Sequence, residues 1–303
     1  METIKPAVVR AAAGEALSRR EFVAAAAALS LSRRSLGEGG AIRQKSAVTI
    51  GVQSYSFRDR SLEDAIAAMQ KIGLRSCELW QSHVEQPTQP RNMRREELRK
   101  WRETVSLDVF HRVRDQFAKA KIALSAYNIS IQDTFSDTEL ERAFDMATAL
   151  GAPLITSSSN IKTVARIAPA AERRKMLVGM HNHSDIDPNE FATAASLANA
   201  LKQGKYIAVN LDVGHFTATN EDAVAFLKEH HARIVTLHIK DRKRNQGDHV
   251  PIGMGDAPID QVLKLVRDNG WPIPMNLEYE YKGGDTVEEV RKMLDYCRRA
   301  LGL

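Results

Sequence analysis

The stretch "YIAVNLDVGHFTATNEDAVAFLKEHHARIVTLHIKD", residues 206–241, shows the order of strand and helix that predicts the fold. It starts with an apolar run, "YIAVNLDVG", and ends with a second one, "RIVTLHIKD". Between them lies a helical window, "NEDAVAFLKEHHA", which opens with Asn and two acidic residues, as helix N-termini often do. This order predicts two parallel strands joined by a helical crossover.

The same order of strand and helix recurs eight times from residue 48 onward. Eight such units match the size of a (β/α)8 barrel. An open doubly wound sheet is the alternative, but it would carry a Gly-rich turn after its first strand, and "SYSFRDRS", residues 54–61, has no glycine. We therefore predict a single-domain TIM barrel over residues 47–303. The predicted strands are residues 48–57, 75–80, 122–130, 153–159, 175–183, 206–214, 233–241 and 272–280.

Residues 1–46 are predicted to be a leader that lies outside the barrel. "SRREFVAAAAALSLS", residues 18–32, places Arg19 and Arg20 before an apolar stretch, which resembles a bacterial twin-arginine export signal. The apolar stretch is too short to span a bilayer as a helix. Two interpretations stay open, namely export to the periplasm and a cytoplasmic protein with a disordered tail.

The distribution of charge argues against a nucleic-acid partner. The chain carries a net charge of +5, but residues 1–47 hold eight Lys or Arg and four Asp or Glu, so the remainder is close to neutral at +1. Bulk attraction to DNA is therefore not expected of the barrel. Cys77 and Cys297 form no CxxC pattern, so no zinc knuckle or disulfide framework is implied. We expect no membrane span, and we leave open whether the chain forms a homo-oligomer.

The candidate site follows from the strand ends, because a TIM barrel keeps its chemistry at the carboxyl ends of its strands. Six of the nine histidines lie at or just beyond a predicted strand end. Acidic residues inside apolar strands are costly unless they are paired or bound to metal. Imidazoles and carboxylates that converge suit a divalent metal, and the alternative is a hydrogen-bonded polar plug at the barrel mouth. The last four strand ends carry His181 and His183, Asp212 and His215, His238, and Glu278 and Glu280.

Four short motifs resemble those of the xylose isomerase-like barrels, which include sugar phosphate isomerases and epimerases, inosose dehydratase and endonuclease IV. The motifs are "LDVGH", "LHIKD", "PIGMGD" and "NLEYEY", in the family's order and spacing. The resemblance covers about residues 48–300. It implies Asp212, His238 and Glu278 as metal ligands and His215 as an accessory residue. It further implies Lys240 and Asp241 as a polar pair that faces substrate or supports the site, and Glu78 as the acidic residue that ends strand 2.

Strand 5 departs from the family pattern. Many members end this strand with Glu-Asn-His, in which the Glu binds metal and transfers protons, whereas this chain has His181, Asn182 and His183. His181 can still bind metal, which gives a site of two imidazoles and two carboxylates. Epimerisation with one glutamate base on each face of the substrate is then in doubt. Either His181 or His183 replaces the missing base, or proton transfer is one-sided.

From these residues we expect a divalent-metal-dependent isomerase or epimerase that acts on a sugar or keto-sugar by removing a proton α to a carbonyl. A sugar dehydratase or glycoside-eliminating lyase is the alternative. The cofactor is one divalent ion, with Mn²⁺ expected and Zn²⁺, Co²⁺ or Fe²⁺ as alternatives. The assigned residues are His181, Asp212, His238 and Glu278 for metal, Glu278, His183 and Lys240 for catalysis, and Glu78, Trp80, His215, Asp241 and Tyr55 for substrate binding.

Two further functions are weighed. An endonuclease IV-like enzyme would bind three zinc ions and would use an Asp-x-His motif after strand 7. In this chain the His of that motif would be His249, but the Asp position is occupied by Gly247. A non-catalytic sugar-binding barrel is the other, and the intact Asp212, His238 and Glu278 argue against it.

Overall fold

The computed structural model describes residues 48–85 and 95–303. The predicted leader, residues 1–46, lies outside the described residues, so its export function stays a prediction. Within the described part of the chain, none of the helices has the length and apolar character needed to cross a membrane.

Eight parallel strands close into a barrel, which confirms the predicted TIM-barrel fold. The order around the barrel is β1-β10-β7-β6-β5-β4-β3-β2, with β1 pairing to both β2 and β10. Two short strands, β8 and β9, follow β7 and pair antiparallel outside the barrel. The strands are β1 Ile50–Gln53, β2 Ser76–Trp80, β3 Ala123–Asn128, β4 Leu154–Ser157, β5 Leu177–His181, β6 Ile207–Asp212, β7 Ile234–Ile239, β8 Asp241–Arg242, β9 His249–Val250 and β10 Met275–Leu277.

Helices occupy the connections between the barrel strands. Those in the described residues are α1 Leu62–Ile72, α2 Ser82–Glu85, α3 Arg95–Thr104, α4 Asp108–Ala120, α5 Asp137–Ala149, α6 Val164–Arg174, α7 Ala194–Leu201, α8 Val213–Ala218, α9 Ala223–His230, α10 Ile259–Asn269 and α11 Thr286–Leu301.

The first crossover shows how the local sequence sets the boundaries of a helix. The Ser61 side chain accepts a hydrogen bond from the Asp64 backbone N–H and so caps α1, and Glu63 and Asp64 lie in its first turn. Gly73 ends the helix at a φ of 83°, a left-handed conformation that glycine adopts without a steric penalty. The chain then returns to the barrel at β2.

The interior of the barrel changes from apolar to polar along its axis. On β6, Ala208 belongs to an apolar cluster, Asn210 lies two residues further, and Asp212 ends the strand. Since alternate residues of a strand share a face, all three point the same way, into the barrel. The polar end is therefore the carboxyl end of the strands, where TIM barrels keep their active sites. The apolar cluster consists of Ala126, Leu154, Leu177, Ala208 and Val235.

Candidate metal centre

Four buried side chains meet at the carboxyl ends of four neighbouring strands. His181 ends β5, Asp212 ends β6, His238 lies in β7 and Glu278 follows β10. Each offers one ligand atom, and these atoms all lie within 4.8 Å of one another. The structure therefore brings together the four residues that the sequence analysis assigned to a metal ion.

Each imidazole of this cluster turns one nitrogen to a supporting side chain and the other to the cluster. The Nδ1 atom of His181 lies 3.1 Å from Ser158 Oγ, and its Nε2 atom lies 3.4 Å from Asp212 Oδ2. The Nε2 atom of His238 lies 3.0 Å from Glu78 Oε1. Supporting contacts of this kind are typical of metal-ligating histidines.

The second nitrogen of His238 gives the clearest indication of a ligand. Nδ1 is buried and has no hydrogen-bond partner within the described residues, although Glu278 Oε2 lies 3.1 Å away and Asp212 Oδ2 3.7 Å away. Buried polar atoms are seldom left without a partner. Two imidazoles and two carboxylates around one point fit a divalent transition metal, so the residues present suit the ion that the sequence analysis expected.

Lys240 is buried beside the cluster and lies among its carboxylates. Its Nζ atom is 2.9 Å from Asp212 Oδ2 and 2.8 Å from Glu278 Oε2, and it also contacts Glu280. Burial opposes the charged form of Lys240, but these carboxylates outweigh burial and raise the pKa of the amine. Lys240 is therefore an ammonium ion at neutral pH.

The carboxylates of the cluster are ionised for a related reason. Burial favours the protonated form of Asp212, but the charge of Lys240 outweighs it and holds the pKa of Asp212 well below its usual range. Burial acts on Glu278 in the same way, and His238 and Lys240 together lower its pKa. Burial also lowers the pKa of His238, but Glu278 and Glu78 raise it well above the ordinary value, so His238 holds a proton that a metal ion must displace.

His183 lies next to the cluster without belonging to it. Its ring centroid is 4.7 Å from that of His181 and 5.4 Å from that of His215. Burial and the neighbouring charges of His181 and Lys240 lower the pKa of His183 to about 3. At neutral pH this imidazole is therefore uncharged.

A polar cavity opens above the cluster. Its volume is about 200 Å³, and its lining side chains come from all eight barrel strands or the residues that follow them. Tyr55 and Trp80 contribute aromatic rings that meet edge to face, with centroids 5.0 Å apart. His183, His215 and Lys240 also line the cavity, as the sequence analysis expected for residues near the substrate.

Two residues assigned to substrate binding lie behind the cavity instead of on its wall. Glu78 has no exposed surface and points to His238 from below the cluster. Asp241 is buried and accepts hydrogen bonds from the backbone N–H groups of Gly253, Gly255 and Ala257, which hold the "PIGMGD" loop. Neither carboxylate is among the groups that line the cavity, and the role of these two residues in substrate binding stays a prediction.

Sequence reasoning also missed several residues of the site. Ser158 lies in a run of three serines at the end of β4, and this run was the feature of the sequence that could have indicated it. Arg242 is buried and lies 2.9 Å from His215 Nδ1 and 2.6 Å from Ser184 Oγ. Nothing in its sequence distinguishes Arg242 from the exposed basic residues that follow it.

Known structures share this fold at low sequence identity. A sugar phosphate isomerase/epimerase from Parabacteroides distasonis ATCC 8503 is 19% identical, with a TM-score of 0.59 over 87% of this chain and 97% of that one. A 3-keto-D-glucoside 4-epimerase from E. coli is 12% identical, with a TM-score of 0.63 over 83% and 99%. The IOLI protein, whose structure holds a zinc atom, is 14% identical, with a TM-score of 0.64 over 84% and 98%. At these identities the likeness shows the fold alone.

Comparison with curated proteins finds no match. The model of one protein family, by contrast, matches residues 66–300, which is most of the barrel and well over half of the chain. The closed parallel barrel and the order of its strand-end motifs agree with that match. This chain therefore belongs to the xylose isomerase-like TIM barrel family.

Proposed function

We propose that this protein is a divalent-metal-dependent isomerase or epimerase that acts on a sugar or keto-sugar by removing a proton α to a carbonyl. The observation that carries the proposal is the buried group of His181, Asp212, His238 and Glu278 beneath a polar cavity. Membership of a family that contains such enzymes supports it. A bound divalent ion would supply Lewis-acid polarisation of the carbonyl and its neighbouring hydroxyl group.

The donor set suits several ions. Imidazoles favour Zn²⁺, Fe²⁺ and Co²⁺ more than they favour Mn²⁺, whereas carboxylates suit Mn²⁺ well. With two of each in the cluster, Zn²⁺, Co²⁺ and Fe²⁺ are candidates alongside the Mn²⁺ expected from the sequence.

Glu278 is the proposed general base. Within the described residues, its carboxylate contacts Lys240 and His238 through Oε2, which leaves Oε1 for the substrate. His238 and Lys240 together keep this carboxylate ionised. The carboxylate lines the cavity and so reaches the space where a substrate carbon would lie. Return of the proton to the neighbouring carbon isomerises the sugar, and return to the same carbon from the opposite face epimerises it.

The remaining cavity residues suit an uncharged sugar. The rings of Tyr55 and Trp80 offer apolar surface for the C–H face of a sugar, and hydroxyl and amide side chains offer hydrogen bonds. The one lysine of the lining is already shared by three carboxylates, which weakens it as a phosphate anchor. If the leader exports the protein, free sugars rather than cytosolic sugar phosphates would be available to it.

Elimination is the second candidate. It starts with the same proton removal but then expels a β-leaving group, which gives a dehydratase or a glycoside-eliminating lyase. The observation that favours it is the end of β5, where His181, Asn182 and His183 stand and no glutamate offers the second base of a two-base epimerase. One-sided chemistry, by isomerisation or elimination, needs only one base.

The test is solvent-deuterium exchange followed by NMR. The metal-loaded full chain is incubated in D₂O with a panel of free aldoses, ketoses and 3-keto-glycosides, and the loss of the α-proton signal is followed. We expect exchange with at least one sugar, little exchange after chelation, and none with Glu278→Gln. A metal-loaded protein that exchanges no proton in any compound of the panel would contradict the proposal.

A further inference from the structure

Glu78 is the centre of a hydrogen-bonded layer inside the barrel, one level below the metal cluster. The residue lies on β2 with no exposed surface, and side chains from five other barrel strands lie within hydrogen-bond distance of its carboxylate. These partners are Gln53 at 3.1 Å, Thr156 at 2.6 Å, Asn210 at 3.3 Å, Thr236 at 3.4 Å, His238 at 3.0 Å and Asn276 at 2.9 Å.

The backbone of the barrel makes room for this layer. A Cβ atom on Gly51 would lie 2.3 Å from Asn276 Oδ1, so only glycine fits opposite this donor. The pairing of β2 with β3 shifts register between Cys77 and Glu78, as at a β-bulge. Bulges re-aim side chains near active sites, and here the shift occurs at the residue that points to the cluster.

Only one of these partners is also a candidate metal ligand. An ionised carboxylate accepts hydrogen bonds and donates none, so Glu78 requires the proton of His238 on Nε2. Asn210 Nδ2 lies 3.0 Å from the same nitrogen, so with a proton on Nε2 the Asn210 amide turns its oxygen to that N–H group and no longer donates to Glu78. A neutral His238 therefore has its lone pair on Nδ1, the atom next to Glu278 and Asp212.

We propose that Glu78 is a positioning residue of the metal centre, which holds the ring and the tautomer of His238 so that Nδ1 faces the ion. This inference rests on the proposed function, because it presumes that the cluster binds metal. Carboxylates that support a ligating histidine in this way typically contribute 10- to 100-fold in metal affinity.

A purely structural role is the competing explanation, since Glu78 also ties six strands together. The two explanations differ in what neighbouring variants do. If Glu78 only holds the layer, the loss of any strong donor should affect the protein in the same way. If Glu78 positions His238, metal affinity should depend on Glu78 much more than on Thr156, which donates to the same carboxylate but does not touch His238 in the contacts described.

The experiment measures Zn²⁺ affinity by competition with a chromophoric chelator, on the full chain as wild type, Glu78→Gln and Thr156→Val. Thermal melting of the three metal-free proteins is recorded in parallel. Glu78→Gln keeps the shape of the side chain but loses its charge and its demand for a proton on His238 Nε2. We expect Zn²⁺ to bind roughly 10- to 100-fold more weakly to Glu78→Gln, whereas Thr156→Val keeps the affinity of wild type even where its melting temperature falls.

Equal affinity in Glu78→Gln and wild type overturns the inference, and so does an equal loss in Thr156→Val. If Glu78→Gln does not fold, long-range ¹H–¹⁵N NMR of the zinc-loaded wild type decides, with a His238→Gln spectrum for assignment. The inference requires a proton on His238 Nε2, and a proton on Nδ1 overturns it. A wild type that binds no Zn²⁺, Mn²⁺ or Co²⁺ would instead overturn the proposed function, and the inference with it.

Discussion

His181 Nε2 lies 3.4 Å from Asp212 Oδ2 because the two residues, 31 positions apart in the sequence, end neighbouring strands. This contact places an imidazole at the strand-5 position where many relatives have a glutamate. The four candidate ligands therefore carry one negative charge fewer than a set of three carboxylates and one imidazole.

Replacing His181 by glutamate should change which metal ion the centre prefers. His181→Glu raises the number of carboxylate ligands to three, and carboxylates favour Mn²⁺ relative to Zn²⁺. We expect the ratio of Zn²⁺ to Mn²⁺ affinity to fall on the order of tenfold, equivalent to about 1.4 kcal/mol. Isothermal titration with each ion measures the ratio, and an unchanged ratio would show that His181 is not a ligand.

Removing the hydroxyl group that supports His181 should weaken metal binding. Ser158→Ala deletes the partner of His181 Nδ1, which lies 3.1 Å away. Supporting contacts of this kind contribute roughly 10- to 100-fold in affinity, and we expect the lower end because the hydroxyl is uncharged. The matched control is Ser130→Ala, which also alters the cavity lining but follows β3 instead of β4. Equal losses in the two variants would refute a specific role for Ser158.

Removing metal should lower the stability of the wild type. A ligand that binds only the folded protein stabilises it by about 2.7 kcal/mol when present at 100 times its dissociation constant. For a chain of this size we expect the melting temperature to fall by several degrees after chelation. A variant with Asp212→Asn and His238→Gln should melt at the same temperature with and without chelator. A shift in that variant would place the metal elsewhere.

Glu139, which lies outside the candidate metal centre, should make the free energy of unfolding depend on pH. Burial raises the pKa of Glu139, but Arg95, the Ser136 backbone and Arg102 outweigh burial and lower it below its ordinary value of 4.5. Because the folded pKa is the lower one, the stabilisation is present above pH 4.5 and is lost as the pH falls through the folded pKa.

The corresponding variant is Glu139→Gln. It loses the paired contacts with Arg95, at 2.8 and 2.7 Å, and should be destabilised at neutral pH by about 1.5–3 kcal/mol. Urea unfolding at several pH values checks this, and the difference from wild type should shrink below pH 4.5. Glu288→Gln, which breaks an exposed pair with Arg291, is the control and should cost less than about 1 kcal/mol. A constant difference across pH would contradict the account.

The grouping of the four candidate metal ligands could be predicted from the sequence because a parallel barrel brings the carboxyl ends of all its strands to one rim. Once the strands were placed, Asp212 and His238 were expected at neighbouring strand ends, and the structure pairs them beyond a shift of register between Val209 and Asn210. The alternation of β5 likewise puts His181 inside the barrel. The convergence of these strand ends follows from strand order and from the two-residue period of a strand.

The roles of Glu78 and Asp241 could not be predicted in the same way. Glu78 lies at a shift of register between β2 and β3, and a shift of this kind leaves no mark in the pattern of apolar residues. Asp241 is held by the backbone of a loop that returns from residues 253–257, and the sequence does not show where that loop lies. In both cases the depth of the carboxylate depends on tertiary structure.

The contact of Ser158 with His181 could not be predicted from the sequence for a different reason. Ser157, Ser158 and Ser159 follow one another, and all three can donate and accept hydrogen bonds. Ser157 and Ser159 bond to each other at 2.6 Å, and only Ser158 contacts His181. Which hydroxyl faces the cluster depends on how the chain leaves β4.

The most direct test of the proposed metal centre is the metal content of the full chain, purified without added metal. Elemental analysis should find about one transition-metal ion per chain in wild type, less in His181→Ala, and none in the variant with Asp212→Ala and His238→Ala. Two or three zinc ions per chain would instead favour an endonuclease IV-like site. A wild type that holds no metal, even after loading with Mn²⁺, Zn²⁺, Co²⁺ or Fe²⁺, would contradict the account.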